Sequence, residues 1–126
     1  MTTNSFVSFL EGALSWTSKR QQALAANLAN IDTPGYRAKD YSFEEQLSTM
    51  ELAASSDKHI VHSEQNSQVR MFEVETNVVN PNGNNVDLDR DITELSQNGL
   101  QYITLIQALN HKLRMLRSSI DEGGRR

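Results

Sequence analysis

The residues from 27 to 36 read Asn27-Leu28-Ala29-Asn30-Ile31-Asp32-Thr33-Pro34-Gly35-Tyr36, and they decide how the chain folds. A helical pattern must end here, because Pro34 has a fixed φ and no N–H group, and it disfavours helical geometry at Thr33. Gly35 after Pro34 predicts a type II turn, whose third position needs a positive φ. The polar side chains that can bond backbone groups freed at a helix end are Asn27, Asn30, Asp32 and Thr33. The stretch therefore predicts a sharp corner, either as a simple helix terminator or as a joint that directs the chain.

The composition limits the class of protein. The chain has 126 residues, which is enough for one domain. It is 37% hydrophobic with 6% aromatic residues, which favours an extended helical shape or a fold completed by a partner. A net charge of −4 argues against nucleic acid as the main partner. The absence of cysteine excludes disulfides, thiolate catalysis and cysteine-ligated zinc.

The beginning of the sequence does not look like a cleavable secretory signal. No Lys or Arg precedes Lys19, and Glu11 interrupts the apolar residues. No apolar run approaches the roughly 20 residues needed to span a bilayer. We therefore expect no transmembrane segment, and a chain that leaves the cytoplasm would need another export route.

A helix is predicted from residue 4 to residue 31, with Asn4 or Ser5 as its cap. Its apolar residues alternate by four and three positions, which is the spacing of a coiled-coil seam. The seam consists of Leu10, Leu14, Thr17, Gln21, Leu24, Leu28 and Ile31. Phe9 and Trp16 lie beside it, so we expect more than one packing partner, although an ordinary core helix explains most of the pattern.

The corner extends over residues 32–41, and a second helix signal follows it. Ser42 and Glu45 have the spacing of a capping box. This spacing predicts a short helix over residues 42–55.

Residues 56–86 are expected to form a loop or a small β-hairpin. The apolar pattern predicts one strand between residues 69 and 78, with a bulge near Met71 where the parity of the apolar positions changes. Residues 81–85 have the composition of a turn.

The strongest structural signal is a helix predicted from residue 87 to residue 120. Its seam steps by four and three without a break and is apolar except at Gly99. The seam consists of Leu88, Ile92, Leu95, Gly99, Tyr102, Ile106, Leu109, Leu113, Leu116 and Ile120. The two terminal helices have matching periods. We therefore predict a mainly α fold in which they pair as an antiparallel coiled coil, with the middle residues as an insertion at one end.

Charges are placed to suit this second helix. Asp87 is a good N-cap, and the first turn would hold Asp89 and Asp91. Basic residues near the other end would complement the helix dipole, namely Lys112, Arg114 and Arg117. Gly123 and Gly124 should end the helix.

Few residues suggest chemistry. His59 and His62 lack the pattern of a zinc protease motif, and His111 is alone on a helix. Residues 80–91 have the spacing of a calcium loop, but Asn85 stands where that loop needs glycine. The ligand positions of such a loop would be held by Asn80, Asn82, Asn84 and Asp91. We expect no enzyme activity, no cofactor and no metal site.

Two stretches resemble the axial proteins of the bacterial flagellum, which include the rod, hook and hook-associated proteins. Residues 24–37 carry the signature of the whole family, and residues 82–90, with residues 38–40 and Phe43, are similar to the proximal rod proteins. Further similar positions along the last helix are Asn98, Tyr102, Leu109, Lys112, Leu116 and Ile120. The resemblance covers about residues 10–43 and 81–120.

The resemblance implies a structural subunit of the flagellar rod, located in the basal body, in the periplasm near the inner membrane. It implies export of the unfolded chain by the flagellar type III apparatus and assembly into the rod that transmits motor torque. The implied partners are copies of the chain itself, other rod proteins such as FlgC, the adaptor FliE and the export gate. The residues that it assigns to assembly, besides the two helix seams, are Asn27, Asn30, Thr33, Pro34, Gly35, Tyr36, Asp87 and Asp89.

Three other interpretations remain open. The chain could be another rod subunit close to FlgC, a small calcium- or metal-binding helical module, or a self-contained helical adaptor. A change in helicity on adding calcium or zinc would indicate the module, and a cooperatively folded monomer would favour the adaptor.

Overall fold

The computed structural model describes residues 2–44, 68–77 and 79–124. This part of the chain is mainly helical, with two long helices and one antiparallel sheet of two strands. The elements in chain order are α1 (Thr2–Ala29), β1 (Lys39–Glu44), β2 (Gln68–Glu73) and α2 (Leu88–Gly123). The outline of the predicted fold class, two long terminal helices with a small β insertion, is confirmed. Neither of the described helices has an apolar stretch long enough to cross a membrane.

Helix α1 begins and ends slightly before its predicted bounds. Asn4 and Ser5 lie inside it, so the prediction that one of them is the cap is wrong. The helix begins earlier because the first amides of any helix lack helical partners, and polar residues are tolerated there. At the other end, the Asn30 N–H bonds the carbonyl oxygens of Ala26 at 3.1 Å and Asn27 at 3.2 Å. These bonds close the last turn before the corner.

Strand β1 occupies the place where the short helix over residues 42–55 was predicted to begin. The capping box at Ser42 is wrong, because Ser42 lies in the strand. The ring of Phe43 packs against Phe9 and Trp16, with ring centroids 6.1 Å and 5.8 Å apart. This tertiary contact outweighs a weak local helix preference. The remainder of the predicted helix lies outside the described residues.

Strand β2 pairs with β1 along all six residues of each strand, in an unbroken antiparallel register. The predicted strand over residues 69–78 is therefore too long at its end, and the predicted bulge near Met71 is wrong. The apolar positions change from one face of the strand to the other at Met71 and Phe72. These two side chains point to opposite faces, and they are 54% and 43% exposed. Neither face of β2 is continuously apolar.

Side chains of α1 bond the edge of β1 that faces the helix. Asn27 donates from Nδ2 to the Lys39 carbonyl at 2.9 Å and accepts the Lys39 N–H on Oδ1 at 3.0 Å. Trp16 donates from Nε1 to the Tyr41 carbonyl at 2.7 Å. These bonds use backbone groups that a third strand would otherwise pair, so α1 fixes the position of the sheet.

Helix α2 packs against α1 with its chain direction reversed. Arg20, late in α1, pairs with Glu94, early in α2. Phe6, early in α1, lies under the ammonium group of Lys112, late in α2, at 5.7 Å. The end of α1 therefore lies beside the start of α2, and the start of α1 lies beside the later part of α2, so the two helices are antiparallel. The finer prediction, a coiled coil with interlocked seams, stays a prediction.

The predicted seam of α1 faces the interior. Its buried members are Leu10, Thr17 and Leu24. Its half-buried members are Leu14, Gln21, Leu28 and Ile31. All seven positions are therefore at least partly covered.

The predicted seam of α2 is placed differently. The buried residues of this helix are polar: Asp91 is 2% exposed and Asn98 is 0% exposed. The half-buried members of the seam are Leu95, Gly99, Ile106, Leu109 and Leu116. The other five, which we call the α2 flank, are 40% to 73% exposed, and they are Leu88, Ile92, Tyr102, Leu113 and Ile120. The apolar seam of α2 therefore runs along the edge of the helix pair rather than through its centre.

The ends of α2 follow the predicted pattern only in part. Asp87 is the N-cap and accepts the Arg90 N–H on Oδ1 at 3.2 Å. The first turn holds Asp89 and Asp91, as predicted. The helix continues to Gly123, so its last turn contains no basic residue. The helix dipole acts mainly within the last turn. The prediction that Lys112, Arg114 and Arg117 complement this dipole is therefore wrong.

An ion group in the interior joins α1, β1 and α2. Arg20 donates from Nε and Nη2 to the two carboxylate oxygens of Asp40 at 2.9 Å and 3.1 Å. Its Nη2 also donates to Glu94, and the guanidinium lies 5.8 Å from the centre of the Trp16 ring. Bidentate geometry and low exposure make this a stronger contact than an ordinary surface ion pair.

Among the described residues, two buried side-chain oxygens have no hydrogen-bond partner: Asp91 Oδ2 and Asn98 Oδ1. Asn98 is bonded on its other side, since Nδ2 donates to the Thr17 carbonyl at 2.8 Å and to Gln21 Oε1 at 2.7 Å. Burial raises the pKa of Asp91 above its ordinary value of 3.8, while the charge of Arg90 acts in the opposite direction. The ionised carboxylate of Asp91 therefore destabilises the fold at neutral pH.

Replacing Asp91 by Asn should raise the free energy of unfolding at neutral pH, because the amide removes a buried negative charge. In the unaltered chain, the folded state keeps the Asp91 proton to a higher pH than the unfolded state does. The stabilisation from this proton is lost as pH rises from 3.8 through the raised pKa of the folded state. Asp91→Asn should remove that part of the pH dependence, which urea unfolding at acidic and neutral pH measures.

Asp89→Asn is the matched control, because Asp89 lies in the same turn but is exposed. It loses only a favourable interaction with the helix dipole, about 0.3–1 kcal/mol. If both variants lower stability at neutral pH, burial does not dominate the energy of Asp91.

Candidate functional site

The corner after α1 is a four-residue turn from Thr33 to Tyr36. The Tyr36 N–H bonds the Thr33 carbonyl at 3.3 Å, with Pro34 and Gly35 in the two central positions. Gly35 has φ +70°, the left-handed value that the predicted type II turn requires. The turn itself is exposed, apart from the half-buried side chain of Tyr36.

A second turn packs against the first. The Gly83 N–H bonds the Asn80 carbonyl at 2.9 Å, and Gly83 has φ +81°. The Gly35 N–H donates to the Asn82 carbonyl at 3.0 Å, which joins the two turns. A side chain on Gly83 would begin 3.7 Å from the Gly35 Cα atom. The two glycines thus face each other, and both need a backbone conformation that other residues rarely adopt.

Asn84 ties the end of α1 to the segment before α2. Its Nδ2 lies 2.8 Å, 3.0 Å and 2.8 Å from the carbonyl oxygens of Asn30, Ile31 and Thr33. Its Oδ1 accepts the Val86 N–H at 2.8 Å, and the residue is 0% exposed. These carbonyls lie in the corner just after α1, outside any helix or strand, so a distant side chain supplies donors to them.

Asn85 extends the sheet beyond its last backbone pair. Its Oδ1 accepts the Ala38 N–H at 2.6 Å, and its Nδ2 donates to the Val74 carbonyl at 3.0 Å. The Val74 N–H bonds the Ala38 carbonyl at 2.9 Å, so the amide of Asn85 substitutes for a peptide group in the ladder. Beneath it, Ala38, Val74 and Val86 form a small buried apolar cluster.

Asn27 acts in the same way at the end of α1. In addition to its two bonds with Lys39, its Oδ1 accepts the hydroxyl of Tyr36 at 3.3 Å. Three buried asparagines, at positions 27, 84 and 85, therefore hold together α1, the corner, the sheet and the start of α2. We call this arrangement the asparagine clamp.

The other motif residues have smaller, local roles. Asn30 donates from Nδ2 to the Ala26 carbonyl at 2.8 Å, and Thr33 donates from its hydroxyl to Asn30 Oδ1 at 3.1 Å. Asp87 caps α2, and the carbonyl of Asp89 accepts the Thr93 hydroxyl at 2.9 Å. The local capping of the corner was predictable, whereas the contribution of Asn84 and Asn85 was missed. The asparagines at positions 80, 82, 84 and 85 carry the only local signal of it, although their spacing predicts a turn or a calcium loop.

The clamp leaves little for a cation to bind. Both ends of the Asn84 and Asn85 amides are engaged with backbone groups, so these side chains do not present free oxygens. Over the described ranges, no three or more His, Cys, Asp or Glu residues are grouped so that they could hold a metal ion. His111 is exposed on α2, and His59 and His62 lie outside the described residues.

The amino-acid sequence is similar to that of known flagellar rod proteins. The sequence profile of the family described as "Flagella basal body rod protein" matches residues 8–37, which cover most of α1 and the corner. The flagellar basal body rod protein FlgB of Bacillus subtilis (strain 168) is 36% identical over 118 residues, covering 90% of this chain and 92% of the relative. FlgB of Escherichia coli (strain K12) is 32% identical over 129 residues, covering 91% of this chain and 92% of the relative.

These relatives are structural components of the rod and not enzymes. Their similarity extends over both helices, the corner and the sheet, well beyond the short segment that the family profile matches. The chain therefore belongs to the FlgB family of flagellar basal body rod proteins.

Proposed function

We propose that this chain is a structural subunit of the proximal rod of the bacterial flagellum. In this proposal the unfolded chain is exported by the flagellar type III apparatus and assembles into the rod that transmits motor torque. The observation that carries the proposal is the α2 flank, a row of five large apolar residues that stay 40% to 73% exposed. Relatives named as rod proteins over about 90% of the chain supply the class of assembly.

An exposed row of this kind needs a partner. Keeping apolar surface in water costs roughly 25 cal/mol per Å², and monomeric proteins rarely keep large contiguous apolar patches. The five residues belong to one heptad seam, so they share one side of α2. A neighbouring helix placed along that side would bury them. The seam of α2 would then contact a neighbouring subunit with its exposed residues and α1 of its own chain with its half-buried residues.

The polar interior of the helix pair supports the export step. Arg20, Asp91 and Asn98 occupy positions where a stable globule would place large apolar residues. Such an interior gains less free energy from burial, so the chain should unfold at a low cost. The chain also lacks cysteine, so no disulfide can form in an oxidising compartment.

The asparagine clamp supports the role of the corner as a joint. It fixes the direction in which the chain leaves α1 and holds the sheet beside the helix pair. In an assembly of repeated subunits, that direction determines which surfaces meet. A simple helix terminator would not need three buried side chains from two distant segments.

We further propose the partners and the location. The partners are copies of this chain, FlgC and other rod proteins, the adaptor FliE and the export gate, and the location is the periplasm near the inner membrane. The resemblance to the axial proteins supports these assignments. The uncharged, apolar character of the α2 flank suits a helical protein partner better than nucleic acid or a small polar substrate.

The other interpretations have less support. The relatives described above carry the name FlgB, which favours the proximal rod over a role like that of FlgC. The engaged amides of Asn84 and Asn85 count against a calcium module. A self-contained adaptor would assemble nothing, so the following variants distinguish it from a rod subunit.

Leu113→Asp should block rod assembly while leaving the monomer folded. Leu113 is 49% exposed, so the free energy of unfolding should change by less than about 0.5 kcal/mol. In a subunit interface, the same carboxylate would be buried without a partner. Swimming-zone diameter, export into the medium and recovery of the chain in purified basal bodies measure the effect. Leu109→Asp is a less selective test, because Leu109 is already half-buried in the helix pair.

Gln107→Asp is the matched control, since Gln107 is exposed on α2 but lies outside the flank. It adds the same charge to the same helix and should swim normally. Normal rods in the Leu113→Asp strain would contradict the role of the flank.

Gly35→Val should be exported and yet fail to build rods, whereas Gly35→Asn should retain partial function. No atom lies within 4 Å of a Cβ built on Gly35, so the cost is backbone strain at φ +70° rather than collision. That strain is about 1–3 kcal/mol for a β-branched residue, and Asn tolerates the conformation better. Swimming-zone diameter and rod proteins in purified basal bodies provide the measurement.

The two substitutions at Gly35 also distinguish the two interpretations of the corner, a joint that directs the chain and a simple helix terminator. A terminator only has to end α1, which Pro34 still does in both variants. If Val and Asn both behave like the unaltered chain, the corner does not direct the assembly.

A further inference from the structure

A groove lies between α1, β1 and α2 on the side of the molecule away from the α2 flank. It has a volume of about 530 Å³. Phe9, Trp16 and Phe43 form its aromatic wall, with Trp16 and Phe43 stacked at 5.8 Å between ring centroids. The opposite wall is contributed by Leu100, Thr104 and Leu105 of α2. Its size suits a few side chains rather than a whole helix, which is about 10–12 Å wide.

The groove and the α2 flank lie on opposite sides of the same helix. An α-helix turns by about 100° per residue, so residues nine positions apart point in opposite directions. Leu113 of the flank is nine positions from Thr104 of the groove. Ile92 of the flank is likewise nine positions from Gln101, which also lines the groove. The molecule thus presents an apolar ridge on one side and an apolar recess on the other.

This arrangement determines the kind of contact that identical copies could make. Two different surfaces on opposite sides allow a heterologous contact, which repeats from one copy to the next without closing on itself. A surface that pairs with its own copy would close as a dimer and could not extend. A rod needs the first kind of contact.

The chemistry of the two surfaces is also compatible. None of the groove-lining residues and none of the flank residues carries a charge. The contacting side chains themselves would therefore bring no unpaired charge into the interface, and such a charge is costly. Gly99 lies in the same seam as Tyr102, and no atom lies within 4 Å of a Cβ built on it. A neighbouring backbone could therefore approach α2 closely beside the flank.

We propose that the α2 flank of one copy places its side chains around Leu113 in the groove between Trp16, Phe43 and Leu105 of the next copy. This inference rests on the proposed rod function and names the contact by which copies of this chain join. The occupant of the groove is a second copy, because the matching ridge is on the chain itself.

Cysteine crosslinking tests the contact, since the chain contains no cysteine of its own. Thr104→Cys marks the groove and Leu113→Cys marks the flank, and both positions are exposed. Strains carrying each single variant or the double variant supply basal bodies, which are treated with a short bis-maleimide. The double variant should give a ladder of crosslinked multimers of this chain. Each single variant should give none, because like positions do not meet in a heterologous contact.

The control is the double variant Gln107→Cys with Leu113→Cys, in which the first cysteine lies on α2 outside the groove. It should give no ladder. Dimers from Leu113→Cys alone would overturn the proposal in favour of a self-pairing surface. Crosslinks to a protein of another mass would show another occupant of the groove. Crosslinks only within one chain would show that the two cysteines reach each other in the same copy. Either result would overturn the proposal.

A different result would show that the proposed rod function itself is wrong. If the unaltered chain is missing from purified basal bodies, the proposed function is wrong. If the double variant is present there but gives no ladder, only the proposed contact is wrong.

If the double variant is not incorporated, Trp16 provides a second measurement. It is the one tryptophan of the chain, and it lines the groove. Its fluorescence in the purified chain should shift to shorter wavelength as the protein concentration rises, and Leu113→Asp should abolish the shift. The absence of a shift in the unaltered chain would overturn the contact.

Discussion

The hydrogen bonds of the Asn84 side chain fix the geometry on which the rest of the fold depends. The carbonyl groups of a corner have no regular helical or strand partners, yet they need donors where they are covered. Here one buried amide bonds three carbonyls after α1 and also holds the Val86 N–H, just before α2. The end of one helix and the start of the other are therefore held at a set distance. Asn27 and Asn85 attach the sheet to the same point.

Asparagine suits this position for a physical reason. Its amide carries a donor and an acceptor without a charge, so it can substitute for a peptide group and be buried at moderate cost. Asp91 shows the contrast, because one of its buried oxygens has no donor and burial raises its pKa. Arg20 avoids a similar cost by pairing with Asp40 and Glu94. The buried polar groups of the described interior are therefore tolerated where they are paired, and Asp91 is an exception.

The sequence predicted what depends on neighbouring residues. Periodicity located both helices, Asp87 was recognised as a cap, and Pro34 with Gly35 predicted the turn. The contacts that join distant segments were missed. Ser42 has the spacing of a helix cap, yet pairing with β2 places it in a strand. The clamp depends on Asn84, more than 50 positions after the carbonyls that it bonds, and no local pattern encodes such a contact.

The orientation of α2 follows from the polar residues of α1. Gln21 and the carbonyl of Thr17 meet Asn98, and Arg20 requires carboxylates, so α2 must turn its polar side towards α1. That rotation leaves the five residues of the α2 flank exposed. The polar contacts between α1 and α2 therefore also expose the surface that a neighbour would bury. In the proposed rod, much of the gain from apolar burial would come only when the next subunit arrives, so that folding and assembly are coupled.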